Sequence, residues 1–423
     1  MYRFLRVLIL LCAVSSVRAQ GYTLVIKGGT VIDPKNNINA VMDLAVSDGK
    51  IVRVAKDIDA HGALQVVDAR GLLVVPGLVD LHTHVFFGTD PSRAYDGGNA
   101  AIPPDVFSFR TGVTTVVDAG CSGWKDFPTF KREVIDVVRT RVLAFLNING
   151  AGMRGSPYEQ DLREMDGKMA GITARQYKDF IVGIKVAHYT GPEWTPIDEA
   201  VKAGNIANIP VMIDFGGHKP PLSIKELFFD HLRPGDIFTH CFGQLDTREF
   251  IVDTLTHAVK PFVREAQQQK GIVFDVGYGE ISFAFSQAIP AVKSGFYPNS
   301  ISTDIHAHSM NNSMRDILNC MSKFVAMGMP VPDVIRAVTS NPAKEIKHEE
   351  LGNLSVGSVA DIAILNLEKG RFGLYDYTGY RIEAAQRFAC EMTVRAGRIV
   401  YDLNGIAQPI VAPRPMTANG ATH

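Results

Sequence analysis

The chain has 423 residues, 46% of them hydrophobic and 21% charged, with 43 basic and 44 acidic side chains. That length accommodates one large domain with a smaller companion, and a substantial core. A near-neutral charge without a long Lys/Arg run excludes nucleic acid or another polyanion as the main partner.

The first segment differs from the rest. Arg3 and Arg6 precede the apolar stretch Val7 to Val14, and Val17-Arg18-Ala19 follows it. This pattern predicts a signal peptide over residues 1–19, cut after Ala19. The apolar stretch is short for a membrane span, and Leu11 before Cys12 argues against a lipid anchor. Losing Arg3, Arg6 and Arg18 lowers 43 basic residues to 40 against 44 acidic ones. The expected mature protein is mildly acidic, without a stable membrane span, and exported to a periplasm or the medium. The remaining cysteines, Cys121, Cys241, Cys320 and Cys390, have no framework spacing and read as free thiols.

Residues 21–70 carry short strand signals with turn punctuation: Tyr22–Lys27, Thr30–Ile32, Val41–Val46, Ile51–Val54 and Leu64–Val67. The same texture returns in Asp361–Leu367, Glu391–Ala396 and Arg398–Tyr401. The expectation is a small β-sandwich domain built from both ends, residues 20–72 plus 350–406, with a flexible tail over 407–423.

Between them, residues 73–349 alternate apolar strands with helix-length segments. The predicted strands are Val75–Leu81, Val113–Ala119, Val142–Ile148, Phe180–Ala187, Val211–Phe215, Asp236–Cys241, Ile272–Val276 and Ser300–Ile305. Helices are expected in Phe127–Arg139, Asp198–Asn208, Thr247–Gln268 and Ser313–Met327. Eight such units predict an α/β fold of the (β/α)8 TIM-barrel type. A doubly wound sheet is disfavoured because no Gly-rich phosphate loop follows the first strand.

In such a barrel the chemistry lies at the C-terminal strand ends. The first strand ends in His82-Thr83-His84, and residues i and i+2 of a strand project from one face. Two imidazoles so placed are half of a metal site. Later strand ends supply Lys185, Asp214, His240 and Asp304. A lone Lys in an apolar strand is costly to bury as an ammonium, so it calls for a partner or a modification. Each residue alone has an ordinary structural explanation; their joint occurrence at ordered strand ends favours a metal site.

At this point the chain resembles a known family. Pro76-Gly77-Leu78-Val79-Asp80-Leu81-His82-Thr83-His84 is similar to the first-strand signature of the amidohydrolase superfamily, and Gly112–Gly120 to its second strand. Thr239-His240-Cys241-Phe242, Asn341-Pro342-Ala343 and Gly352–Asp361 are similar to later landmarks. The branch it most resembles is that of the dihydroorotase-like deacetylases. The resemblance implies that His82, His84 and Asp304 hold one Zn2+, that His240 serves a second, and that carbamylated Lys185 bridges both. Where the family carries histidine at the end of strand five, this chain has Asp214, with His218 four residues further. Asp214 is favoured as the ligand and His218 is the alternative, so one or two ions remain open.

The implied activity is hydrolysis of a C–N amide bond or an acetyl ester in a small molecule, by water activated on zinc. Asp304 is the expected catalytic proton acceptor and donor. Arg154, after strand three, is a candidate for binding a substrate carboxylate, and Tyr189, His188, His306 and His308 are further candidates. A mononuclear deaminase or an imidazolone-type ring hydrolase is the rival enzyme reading. A non-catalytic binding relative is disfavoured because His82, His84, His240 and Asp304 are all retained. A homo-oligomer is left open.

Overall fold

The computed structural model describes residues 21–87, 101–214 and 216–409. The expected signal peptide, Phe215 of the fifth predicted strand, and the tail beyond residue 409 lie outside the described residues.

The two chain ends share one sheet. Its strands are β1 (Leu24–Asp33), β2 (Ile38–Ser47), β3 (Lys50–Ala55), β4 (Val66–Asp68), β5 (Leu73–Pro76) and, from the far end, β13 (Ile362–Tyr375), β14 (Arg381–Arg395) and β15 (Arg398–Asp402). The order is β15-β14-β13-β5-β1-β2-β3, with β4 also paired to β1. β5 pairs parallel with β1 and antiparallel with β13, so the ends meet edge to edge in one hydrogen-bonded sheet. That differs from the expected pair of stacked sheets. Its apolar side encloses Leu24, Ile26, Val31, Leu44, Val46, Ile362 and Val394.

A single residue, Gly77, separates β5 from the second sheet, and its N–H donates to Asp361 O at 2.8 Å. That second sheet contains β6 (Leu78–Thr83), β7 (Val113–Gly123), β8 (Arg141–Asn147), β9 (Ile181–Val186), β10 (Val211–Ile213), β11 (Ile237–Phe238) and β12 (Val273–Phe274). All neighbours pair parallel and in chain order. The eighth predicted strand is present only as single bridges: Ser300 to Asp275 beside β12, and Ile305 to Thr83 on β6. Those bridges tie the two edges together, so the sheet curls closed.

Side-chain alternation sorts the two faces of this curled sheet. Leu81, Val117, Leu143, Phe145, Val182, Met212, Ile237 and Val273 fill the interior over a floor of Ala343, Ile346 and Leu351. Val116, Ala144, Ile213, Phe238 and Phe274 face outward into the helical layer, where Ala170, Ala200 and Ile317 lie. Asp166 caps the helix Gly167–Gln176 by accepting from the Lys168 and Met169 N–H groups. The helix expected over Thr247–Gln268 starts only at Pro261. Upstream, Asp253 accepts from the Leu255 and Thr256 N–H groups, a local turn that competes with helix.

The long β13–β14 hairpin reaches the barrel rim. At its tip Asp376 accepts from the Phe285 N–H at 2.7 Å, and the Tyr377 hydroxyl donates to Gln244 O at 2.7 Å.

Candidate metal centre

The strand ends bring six predicted residues to one place at the C-terminal mouth of the curled sheet. His82 is the penultimate residue of β6 and His84 lies just past its end, their ring centroids 5.4 Å apart. Asp304, on the closing segment, puts Oδ1 at 2.8 Å from His84 Nε2 and 3.5 Å from His82 Nε2. Lys185 on β9 is fully buried, with Nζ 3.1 Å from His82 Nε2 and 3.9 Å from Asp214 Oδ2. His240 Nε2 lies 3.2 Å from the same Asp214 oxygen. One ligand atom from each of His82, His240 and Asp304 lies within 4.8 Å of the other two.

The backbone is bent to achieve this. His188, His240 and Asp304 have φ of +53°, +57° and +51°. Left-handed backbone is uncommon outside glycine and costs about 1–2 kcal/mol per residue, so the surrounding packing must impose it. Gly120, at φ +93°, lets the Lys185 stem pass: a Cβ there would sit 2.7 Å from Lys185 Cγ.

The electrostatics follow from burial and proximity. Burial lowers the Lys185 pKa, only partly opposed by Asp214 and Asp304. Burial and the nearby Lys185 hold His82 well below its usual value. Burial works against charge on Asp214 too, yet His240, Arg248 and Lys185 keep its carboxyl well below the usual carboxylate range. Asp304 is likewise held low by His82, His306 and His84 against its burial.

These groups fit a cation. His240 Nδ1 lies 2.5 Å from Gly277 O, a carbonyl that only accepts, so Nδ1 carries the hydrogen. Nε2, the other ring nitrogen, faces a carboxylate oxygen. At 3.2 Å that pairing is satisfied by a positive charge, either a second ring proton or a bound cation. Imidazole nitrogens with carboxylate oxygens are the donor set of a catalytic zinc site.

Several neighbours had no sequence signal. Arg248 Nη2 binds Asp214 Oδ1 at 2.5 Å. Glu159 Oε2 holds His188 Nδ1 at 3.0 Å, and His188 Nε2 reaches Asp214 Oδ2 at 3.4 Å. Arg248 comes from an irregular segment and Glu159 from the short 3-10 turn Tyr158–Gln160, both far along the chain from the groups they touch.

Other expected residues lie further out. Arg154 Nη2 stands 3.8 Å from Asp126 Oδ2. The Tyr189 hydroxyl donates to Glu193. His218 donates from Nδ1 to Pro220 O at 2.9 Å, whereas Asp214 supplies the oxygen within the cluster. Tyr189, Asp214 and His218 line one small cavity. His306 binds Asp304 O at 2.8 Å, and His308 is 6.0 Å from His306, ring to ring. The four cysteines are free and buried, with Cys121 Sγ 3.4 Å from His84 Nδ1. No helix among the described residues is long and apolar enough to cross a membrane.

Residues 73–400 match the model of the amidohydrolase family. A deacetylase of Brucella anthropi is 35% identical over 337 residues, covering 78% of this chain and 80% of that one. A deacetylase of Enterococcus faecalis is 29% identical over 90% of this chain and 99% of its own. The solved structure of an adenine deaminase superposes with a TM-score of 0.80 at 29% identity, covering 90% of this chain and all of the other. That of a dihydroorotase gives 0.78 at 29% identity, covering 90% and 99%. The chain therefore belongs to the amidohydrolase family. It is a metal-dependent enzyme of the class that acts on C–N bonds other than peptide bonds, and its curled parallel sheet is of that family's TIM-barrel type.

Proposed function

We propose that this protein is an exported deacetylase or cyclic amidase that hydrolyses a C–N amide bond, or an acetyl ester, of a small molecule. The observation that carries this reading is the convergence of imidazole nitrogens and carboxylate oxygens from separate strand ends on one buried point. In this reading His82, His84 and Asp304 would hold one zinc ion, His240 with Asp214 would hold a second, and a carbamylated Lys185 would contribute carbamate oxygens to the pair. Burial favours the neutral Lys185 amine, the form that adds CO2. Bound zinc supplies an acidified water and polarises the scissile carbonyl. Asp304 takes the proton of the attacking water and returns it to the leaving nitrogen or oxygen. His188, held by Glu159, faces the Asp214 carboxylate and helps to orient the substrate.

The deacetylase relatives and the dihydroorotase neighbour support this choice of substrate class. The adenine deaminase neighbour favours a second reading, a mononuclear deaminase that leaves Lys185 unmodified. Metal analysis decides between them when combined with turnover assays on acetylated amino acids, cyclic amides and aminopurines. Near two zinc ions per chain with amide turnover supports the first reading. One ion with ammonia release from aminopurines supports the second.

A further inference from the structure

The interior of the barrel holds a second polar cluster just below the centre. Register places Ile237 beside Val273 and Phe238 beside Phe274, so the next residues, Thr239 and Asp275, are neighbours on the inward face. Asp275 is fully buried and surrounded by hydroxyls. Ser300 Oγ donates to its Oδ1 at 2.8 Å, Ser302 Oγ to its Oδ2 at 2.7 Å, and Thr239 Oγ1 to its Oδ2 at 2.7 Å. Ser302 Oγ also accepts from the Gly277 N–H at 3.0 Å, so its own proton is free for the carboxylate.

Thr239 Oγ1 has one further neighbour, His82 Nδ1 at 3.0 Å. A hydroxyl has a single proton. Because that proton goes to Asp275, the oxygen must accept from His82, and Nδ1 must carry the hydrogen. A second observation agrees. His82 Nε2 lies 3.1 Å from Lys185 Nζ, whose N–H can donate to it, in keeping with Nε2 as the acceptor. The knot is tight: a Cβ at Gly277, where φ is +45°, would collide with Thr239 Oγ1 and lie 3.1 Å from His82 Nδ1.

We infer that Thr239 and Asp275 are positioning residues that lock His82 in the Nδ1–H tautomer through a carboxylate–hydroxyl–imidazole chain, keeping the Nε2 lone pair on the metal position. Partners of this kind fix the ring and raise its basicity, and their loss typically weakens metal binding about 10–100-fold. Asp275→Asn is the informative change. Its side-chain amide can donate to Thr239, which frees the Thr239 proton for His82 Nδ1. The ring hydrogen then moves to Nε2, the atom needed as a ligand.

The test uses the full chain with 15N-labelled histidine, metal-free, and reads ring tautomers by long-range 1H–15N correlation. The His82 signal is assigned as the one lost in His82→Gln. Wild type and Thr239→Ser should show the hydrogen on Nδ1, and Asp275→Asn should show it on Nε2. Zinc affinity should fall at least tenfold in Asp275→Asn and Thr239→Val, and stay within about threefold of wild type in Thr239→Ser. Ser300→Ala removes another hydroxyl from Asp275 without touching His82, and should leave the tautomer unchanged. The inference is overturned if Asp275→Asn keeps the wild-type tautomer, or if Ser300→Ala weakens zinc as much as Thr239→Val. If Asp275→Asn does not fold, the split between Thr239→Val and Thr239→Ser decides alone. Only the zinc arm rests on the proposed function; the tautomer is read without metal, so the two can fail separately.

Discussion

Arg248 holds one oxygen of Asp214 at 2.5 Å and leaves the other facing His240 at 3.2 Å. A carboxylate clamped in this way offers a single oxygen to a cation. Its guanidinium partner offsets much of the carboxylate's charge in a buried site. Removing one member of such a pair typically costs about 3–5 kcal/mol, because the remaining charge loses its partner. Arg248→Met should therefore lower the metal-free unfolding free energy by an amount of that order. Added zinc should recover more stability in the variant than in wild type, since the freed carboxylate then takes up a cation. Urea titrations with and without zinc measure both, and equal zinc-induced gains in the two proteins would contradict the expectation.

Lys185→Ala tests the bridge. With protein prepared in zinc and bicarbonate, wild type should carry near two ions per chain, and the variant one or fewer. Plasma mass spectrometry gives the ratio directly. Short-chain carboxylic acids added to the variant should restore part of the metal content by standing in for the carbamate. A metal content unchanged by the substitution would leave the mononuclear reading.

Asp304→Asn should preserve the fold, because asparagine tolerates the left-handed backbone at φ +51°. Turnover should fall by about 10²–10⁴, the usual worth of a positioned proton acceptor. Circular dichroism and a steady-state assay on an acetylated substrate check the two halves. A variant near the wild-type rate would remove Asp304 from the proton path.

Glu345 makes a pH-dependent prediction away from the centre. Its Oε2 is enclosed without a hydrogen-bond partner among the described residues, and burial pushes the carboxyl up to about 8. Unfolded, the group titrates near 4.5. Between those values the folded protein keeps a proton that the unfolded chain has lost, so stability falls as pH rises through this window. Glu345→Gln should abolish that share of the decline. Its melting temperature should gain on wild type between pH 5 and pH 8.5, and a constant gap would refute the assignment.

Sequence reasoning reached as far as local geometry reaches. His82 and His84 were legible because two residues of one strand share a face whatever surrounds them. Lys185, Asp214, His240 and Asp304 were legible because parallel strands in chain order bring their ends together. Arg248 was not: it lies 34 residues from Asp214, in a segment without periodicity. Thr239 and Asp275 become partners only through the register of β11 against β12, which side-chain pattern does not specify. The pairing of the two chain ends was hidden for the same reason. Strand content could be read, but the edge pairing of β5 with both β1 and β13 could not.

The left-handed backbone at His188, His240 and Asp304 also limits how this site can change over generations. Asparagine, aspartate and glycine can inherit such a conformation cheaply, whereas valine, isoleucine and threonine meet a steric penalty before any chemistry is judged. Viable descendants at these positions should therefore sample a narrow alphabet of small polar residues. A library saturating the three codons, selected for folding alone, should reveal that bias even with catalysis left out of the selection.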